Sequence, residues 1–138
     1  MHRPFTADWA AAFRTAIESD ADYRSAAAKW TWPVAFVMPA TPELGYGEAT
    51  AVELQLDRGR CHDARLRNPD ELSAPIVLSA PYAVWKSVVR GELDPIAGVV
   101  GGRIAVRGSI ATLMFHAAAA TALLACARRI ATAFPDEP

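Results

Sequence analysis

Residue types that carry covalent or metal chemistry are scarce in this chain of 138 residues: two cysteines, Cys61 and Cys126, and three histidines, His2, His62 and His116. The cysteines lack CxxC spacing and a neighbouring histidine pair. That excludes a readable zinc or redox motif and leaves two buried thiols, packed as small hydrophobes, as the expectation. His2 is terminal, His62 adjoins Asp63 in an alternating segment where neighbours face opposite sides, and His116 has no carboxylate or histidine four residues away. Asp70 with Glu71 opens a loop, and Glu92 with Asp94 flanks a helix start. No motif assembles a nucleophile, base and carboxylate. The expectation is a non-enzyme without metal or cofactor, the weaker alternative being a small hydrolase or isomerase of apolar substrates dependent on His62 or His116.

An excess of charge of one sign is missing too. Fourteen basic and fifteen acidic residues leave a formal charge of −1, too little for a field that gathers nucleic acid, so no nucleic-acid partner is expected. The opening "MHRPFTADWAAAF" has no uninterrupted apolar region before a small-residue cleavage site, which predicts no secretion signal and a reducing cytoplasm. The longest apolar run, "IATLMFHAAAATALLACA" at 110–127, lies between Arg107 and Arg128–Arg129 and only reaches the minimum length of a membrane span. Alanine inserts weakly, and His116 and Thr121 interrupt the run. A buried or half-buried helix is predicted, with no stable membrane insertion.

What is present is punctuation and apolar periodicity. The length suits one domain over 1–138 with one continuous core. Trp9, Phe13, Ala16 and Ile17 recur at offsets of three and four, the stripe of an amphipathic helix, and Tyr23, Ala27 and Trp30 share a face after a capping Asp20 or Asp22. The period then drops to two. Trp32, Val34, Phe36 and Met38 alternate in one strand; Thr50, Val52, Leu54 and Leu56 alternate with Ala51, Glu53, Gln55 and Asp57 in a second. "DRG" makes a hairpin to a third, with His62, Ala64 and Leu66 on one side. "IVLSA" is a short buried strand, and Pro81 suits the first turn of a helix whose stripe is Tyr82, Trp85, Val88 and Val89 and whose end is Gly91.

Asp94–Pro95 is another helix start, Gly101 and Gly102 release the chain, and "RIAVR" is a strand with Ile104 and Val106 inward. Ser109 caps a long alanine-rich helix running to about Ala131. The glycines of "GVVGGRIAVRG" do not match GxGxxG and precede a strand instead of following one, which argues against a dinucleotide site. The predicted order is α-α-β-β-β-β-α-α-β-α, an α+β fold: a single, mainly antiparallel sheet covered on one face by helices. For so small a sheet, large apolar residues are plentiful. They fill a core or wall a cavity between helices and sheet, and alanines in the last helix would leave volume unfilled there.

The Trp-containing first helix, "DADYRSAAAKW", "LQLDRGRC" and above all "GELDPIAGVVGGRIAVRGS" together resemble the sterol carrier protein 2 sterol-binding domain family over nearly the whole chain. The most specific part is Gly91, Leu93, Asp94 and Pro95 followed by Gly102, Ile104, Val106 and Gly108; Arg103 and Arg107 stand where lysines are usual. The resemblance implies a five-stranded sheet under helices with a hydrophobic tunnel for fatty acyl chains, sterols or other lipids, and no shared catalytic residues. The ending "FPDEP" gives no expectation of peroxisomal delivery.

The stripes and the resemblance together predict non-enzymatic binding or transfer of apolar lipids such as fatty acids, fatty acyl-CoA or sterol-like molecules. Phe13, Ile17, Phe36, Leu54, Trp85, Val89, Ile96, Val99, Leu113, Met114 and Leu124, the inward apolar candidates of their elements, are the expected ligand-binding residues. The alternative is an accessory module in which an exposed helix stripe or sheet edge forms a homodimer or docks on a partner enzyme of lipid metabolism.

Overall fold

The computed structural model describes residues 1–138. Two helices open the chain. Helix α1 (Ala7–Glu18) is capped by Thr6, whose hydroxyl accepts the Trp9 amide, and α2 (Ala21–Ala26) is capped by Asp20, whose carboxylate accepts the Tyr23 amide at 2.8 Å. Trp9, Phe13 and Ile17 are buried from the first, and Tyr23, Ala27 and Trp30 from the second and its continuation. The stripes legible in the sequence are therefore the faces that pack.

Strands β1 (Val34–Met38), β2 (Thr50–Asp57) and β3 (Arg60–Arg67) form an antiparallel meander. The β2–β3 turn is tight because Arg58 and Gly59 both take positive φ, 48° and 85°, the conformation of a two-residue hairpin matched to strand twist. Strand β4 (Ile76–Ser79) adds parallel to β1 on its other side, and β5 (Ala105–Arg107) adds antiparallel to β4. The sheet order is β3-β2-β1-β4-β5, mixed but mostly antiparallel as expected. Helices α3 (Tyr82–Val89), α4 (Pro95–Val100), α5 (Ile110–Phe115) and α6 (Ala117–Ala127) complete the chain. Val34, Phe36, Met38, Val52, Leu54 and Leu78 turn toward the helices and form one core with them.

Several expectations need correction. His62 does not share a side with Ala64 and Leu66: the register shifts between Gln55 and Leu56, so Leu56 faces Cys61 and His62 is left unpaired and exposed. The extra residue of a bulge turns Cys61 inward where strict alternation would place His62. The far face of the sheet is not simply solvated either. Ala35 and Val77 pack there with Ala74, and Glu53, 3% exposed, accepts the amides of Ser73 and Ala74 at 2.9 Å each, which ties the 68–75 loop across that face.

The strand expected at 103–107 begins only at Ala105, because the Arg103 and Ile104 amides both bond to the Gly98 carbonyl, at 2.8 and 3.0 Å, and close the end of α4. Pro81 stands just before the first helical residue of α3 and not within its first turn. The long terminal helix is two helices, broken at His116 (φ −106°, ψ 34°). Six and eleven residues are far short of a span, and no helix is long and apolar enough to cross a membrane.

The punctuation of 84–109 has a geometric purpose. Gly91 (φ 78°) ends α3; Asp94 caps α4 by accepting the Ala97 amide at 3.0 Å, and its other carboxylate oxygen accepts the Thr121 hydroxyl at 3.0 Å, pinning α4 to α6. Gly108 (φ 112°) lies so close to β4 that an added Cβ would stand 2.2 Å from the Pro75 carbonyl oxygen. Within this stretch the chain reverses direction, lays a short helix against α6 and returns as an edge strand.

Candidate functional site

Between sheet and helices lies one wholly apolar cavity, of about 20 Å³. Its floor is Val34 and Phe36 of β1 with Leu78 of β4. Tyr23 of α2 and Trp30 close one side, and Leu113 of α5 closes another. The roof is α6, which contributes Leu123 and Leu124 but also Ala119 and Ala120. The two alanines present only methyl groups to the space, so the volume survives beneath an otherwise well-packed helix. A void enclosed by apolar atoms favours an apolar occupant, since water there would lack its hydrogen-bonding partners.

One flank of the site is rigid aromatic packing. Phe36 stacks on Phe13 (centroids 6.2 Å) and meets Trp85 edge-on at 5.5 Å, and the Trp85 indole donates to the Val37 carbonyl at 2.9 Å. The other flank is the corner where α5 turns into α6. Trp30 donates its indole N–H to the Trp32 carbonyl at 2.7 Å, its ring meets Trp32 edge-on at 5.0 Å, and the His116 ring sits 5.4 Å from both. The neighbours of His116 are thus aromatic rings, and its position at the helix break is one of packing. No cationic side chain lines the space, so a buried carboxylate or phosphate would meet no compensating charge there.

Of the eleven residues expected to bind ligand, Phe36, Leu113 and Leu124 are brought together at the cavity. Phe13, Ile17, Leu54, Trp85 and Val89 lie buried in the same core but outside the immediate lining, and Ile96 and Val99 are half-buried against it. Met114 is half-buried on α5. The lining also includes residues not singled out beforehand: Tyr23, Trp30, Val34, Leu78, Ala119, Ala120 and Leu123. Tyr23 and Trp30 belonged to a visible helical stripe, and Val34 to a visible strand face. The alanine-rich last helix is expected from the sequence to leave volume unfilled, but which of its alanines face that volume is not legible, because a methyl group facing a void and one facing another helix look the same in a sequence.

The two thiols sit beside the site without joining it. Burial pushes Cys61 and Cys126 each up to about 12, so both are protonated and poor nucleophiles at neutral pH. Their S–H groups are turned to the carbonyls of Asp63 and Ala122.

No protein-family model matches the chain, and no curated protein does. Solved structures do. A crystal structure of a sterol carrier protein 2 superposes with a TM-score of 0.88 at 32% identity, covering 94% of this chain and 100% of the other. The solution structure of a conserved hypothetical protein of Thermus thermophilus, with a suggested sterol carrier identity, gives 0.88 at 31%, covering 96% and 93%. Sterol carrier protein 2 of Yarrowia lipolytica in its apo form shares the fold at a TM-score of 0.56 and 16% identity, over 87% and 89% of the two chains. With nearly a third of residues identical across essentially all of both chains in the first two cases, and backbones that superpose at a TM-score of 0.88, this chain belongs to the sterol carrier protein 2 family.

Proposed function

We propose that the protein binds an apolar lipid between the sheet and the α2–α6 layer and carries it without chemical change. The family's fold is a lipid-binding one, and the observation that carries the reading for this chain is the cavity walled by ten residues, all of them hydrophobic. A lipid is far larger than the space of about 20 Å³, so binding requires the roof to move outward. That movement falls to the α5–α6 corner, ahead of the point where Thr121 fixes α6: there two short helices meet at a break without a side-chain cap and present alanines and leucines to the sheet. Leu113, Leu123 and Leu124 line the space, and a change of rotamer among them lets such a wall conform to a chain-like ligand. The tunnel implied by the family would then be this cavity in expanded form.

The test is native mass spectrometry of freshly purified protein, followed by solvent extraction. A stoichiometric retained lipid supports carriage and names the ligand class; a clean protein mass that stays unshifted across a panel of fatty acids, acyl-CoA and sterol-like molecules overturns it.

A second reading is an interaction module, favoured by the exposure of Phe115 (85%) and Ile110 (51%) on α5. Sedimentation velocity distinguishes it: a dimer that dissociates on Phe115→Ser would support that face as an interface, and a strict monomer would argue against homodimerisation.

A further inference from the structure

Most large hydrophobic side chains of this protein are covered, but Phe115, at the end of α5, is 85% exposed, and Ile110, at its start, is 51% exposed. Isolated apolar residues are ordinary on a protein surface; a contiguous set is not. Leu113 of the same helix is 2% exposed and lines the cavity. At about 100° per residue, Ala111 and Phe115 then stand on the opposite side of α5, with Met114 beside them. Ala111 is exposed, Met114 is half-buried, and Ala118, just across the break, is exposed again. Between Ser109 and Thr121 the only polar side chains are Thr112 and His116. By contrast, the solvent side of α1 presents Asp8, Arg14 and Thr15, the ordinary make-up of a face turned to water.

The corner is backed by the 27–34 segment. The rings of Trp30 and half-buried Trp32 each sit 5.4 Å from the His116 ring, and Phe115 meets the same imidazole at 5.1 Å. Aromatic side chains beside an apolar helix face and flanking cations are the make-up of a surface that meets a bilayer. The cations are there. Neither 27–34 nor 105–127 contains a carboxylate, and each contains one basic residue, Lys29 and Arg107. Both are exposed and neither forms an ion pair. Asp57 approaches through the hairpin turn, where the Arg58 amide donates to the Trp30 carbonyl at 2.6 Å, but its carboxylate is held by Arg58 at 3.2 Å. Asp94 reaches α6 at Thr121, beyond Ala118, and is occupied by the Ala97 amide and the Thr121 hydroxyl. A second copy of the chain is a poor occupant of this face. A two-fold contact would set the face against itself, with cations and no carboxylate on either side.

We propose that the α5–α6 corner is a membrane-docking face that seats peripherally on an anionic lipid bilayer, with Phe115 entering the boundary between headgroups and acyl chains and Lys29 and Arg107 meeting the lipid phosphates. The contact is shallow and reversible, and it needs no membrane-spanning helix. It stands whether or not the cavity takes a lipid. If the cavity does, the docked corner is the part of the roof that moves, and a ligand passes between bilayer and cavity without crossing water.

Vesicle flotation of the full chain tests this. The wild-type protein is expected to float with vesicles of equal parts phosphatidylcholine and phosphatidylglycerol, to float little with phosphatidylcholine alone, and to lose binding as salt is raised. Phe115→Ser should weaken binding about 5- to 10-fold, the loss of one apolar side chain at the interface. Lys29→Gln combined with Arg107→Gln should weaken it about 10-fold or more, the loss of two cations near an anionic surface. The exposure of all three side chains keeps the fold out of the result, which circular dichroism checks. Leu66, 40% exposed on β3 at the other edge of the sheet, supplies the control: Leu66→Ser should leave flotation unchanged. No flotation with the anionic vesicles overturns the proposal, and so does flotation that Phe115→Ser leaves intact or that Leu66→Ser lowers equally. Sedimentation velocity without vesicles adds a last outcome: a dimer dissociated by Phe115→Ser gives the face to a second copy and overturns docking on a bilayer.

Discussion

Shortening Leu124 to alanine asks whether α6 is a firm roof or a loose one. Leu124 is 4% exposed and faces the cavity together with Leu123 and Leu113. Truncation removes three carbons, worth about 2.4 kcal/mol at roughly 0.8 kcal/mol per buried methylene. It also adds a void contiguous with the existing space of about 20 Å³. If the layers hold their positions, the void adds a further cost of roughly 24 cal/mol per Å³, so a total of about 3–4 kcal/mol is expected. Collapse is resisted because α6 is fixed at its middle by Thr121 to Asp94 and beyond its end by hydrogen bonds from Arg129 to the Ala16 carbonyl and Ser19. Urea denaturation of lipid-free protein is the assay: the midpoint should fall by about 1–3 M at constant slope. Adding a small hydrocarbon that fills the enlarged space should recover part of the loss, up to about 2.7 kcal/mol at a hundred times its dissociation constant. A loss below about 1 kcal/mol would refute the reasoning, because it would mean that the helix settles onto the sheet and that the cavity is slack between mobile surfaces.

Gly108→Ala should be among the most damaging single changes, about 3 kcal/mol or more: the new methyl would overlap the Pro75 carbonyl at a positive φ of 112°, and hydrogen exchange should show β5 released from β4 before the rest of the fold. An unchanged melting temperature would overturn that placement. Glu18 joins α1 to the start of β3; hydrogen bonding from Arg60, reinforced by the Cys61 amide, lowers its carboxyl pKa to about 2. A depressed folded-state pKa gives stability that is fully present above the ordinary carboxylate value of 4.5 and is lost as pH falls from there toward about 2. Glu18→Gln should therefore flatten the acid limb of the stability curve in that window by about 1–2 kcal/mol, a figure discounted for the exposure of Arg60, and parallel wild-type and variant curves would refute the link. Cys61 and Cys126, each raised to about 12 by burial, should resist iodoacetamide at pH 8 in the native state and react together in denaturant; ready native labelling would show that the layer opens on its own.

Much of the fold could be read from residues whose physics is local. Asp20, Asp94 and Ser109 cap helices wherever they stand before a helical stripe, and all three do so here. Arg58–Gly59 makes a hairpin, Gly91 ends a helix, and the alternation of β2 points Val52 and Leu54 inward. Where the chain departs from these rules, the cause is a distant partner. Cys61 displaces His62 because the hairpin is bulged against Leu56. Glu53 is buried because the 68–75 loop comes across to donate two amides. The terminal helix breaks at His116 with no glycine or proline to mark it, where the ring meets Trp30 and Trp32 from the other end of the chain.

The site divides along the same line. Sequence by itself determined most of the elements, their apolar faces and the one-sided helical cover, and held no readable catalytic motif, because capping, turn geometry and periodicity depend on near neighbours. Only the tertiary structure decided which apolar residues fill space and which enclose it. Phe36 touches both the aromatic packing and the cavity, Phe13 and Trp85 are committed to the packing, and Ala119 and Ala120 matter for the volume they leave. The unpartnered hydroxyl of Tyr23 is likewise a tertiary fact, since whether a buried donor finds an acceptor depends on every chain segment packed around it and on none of its neighbours in sequence.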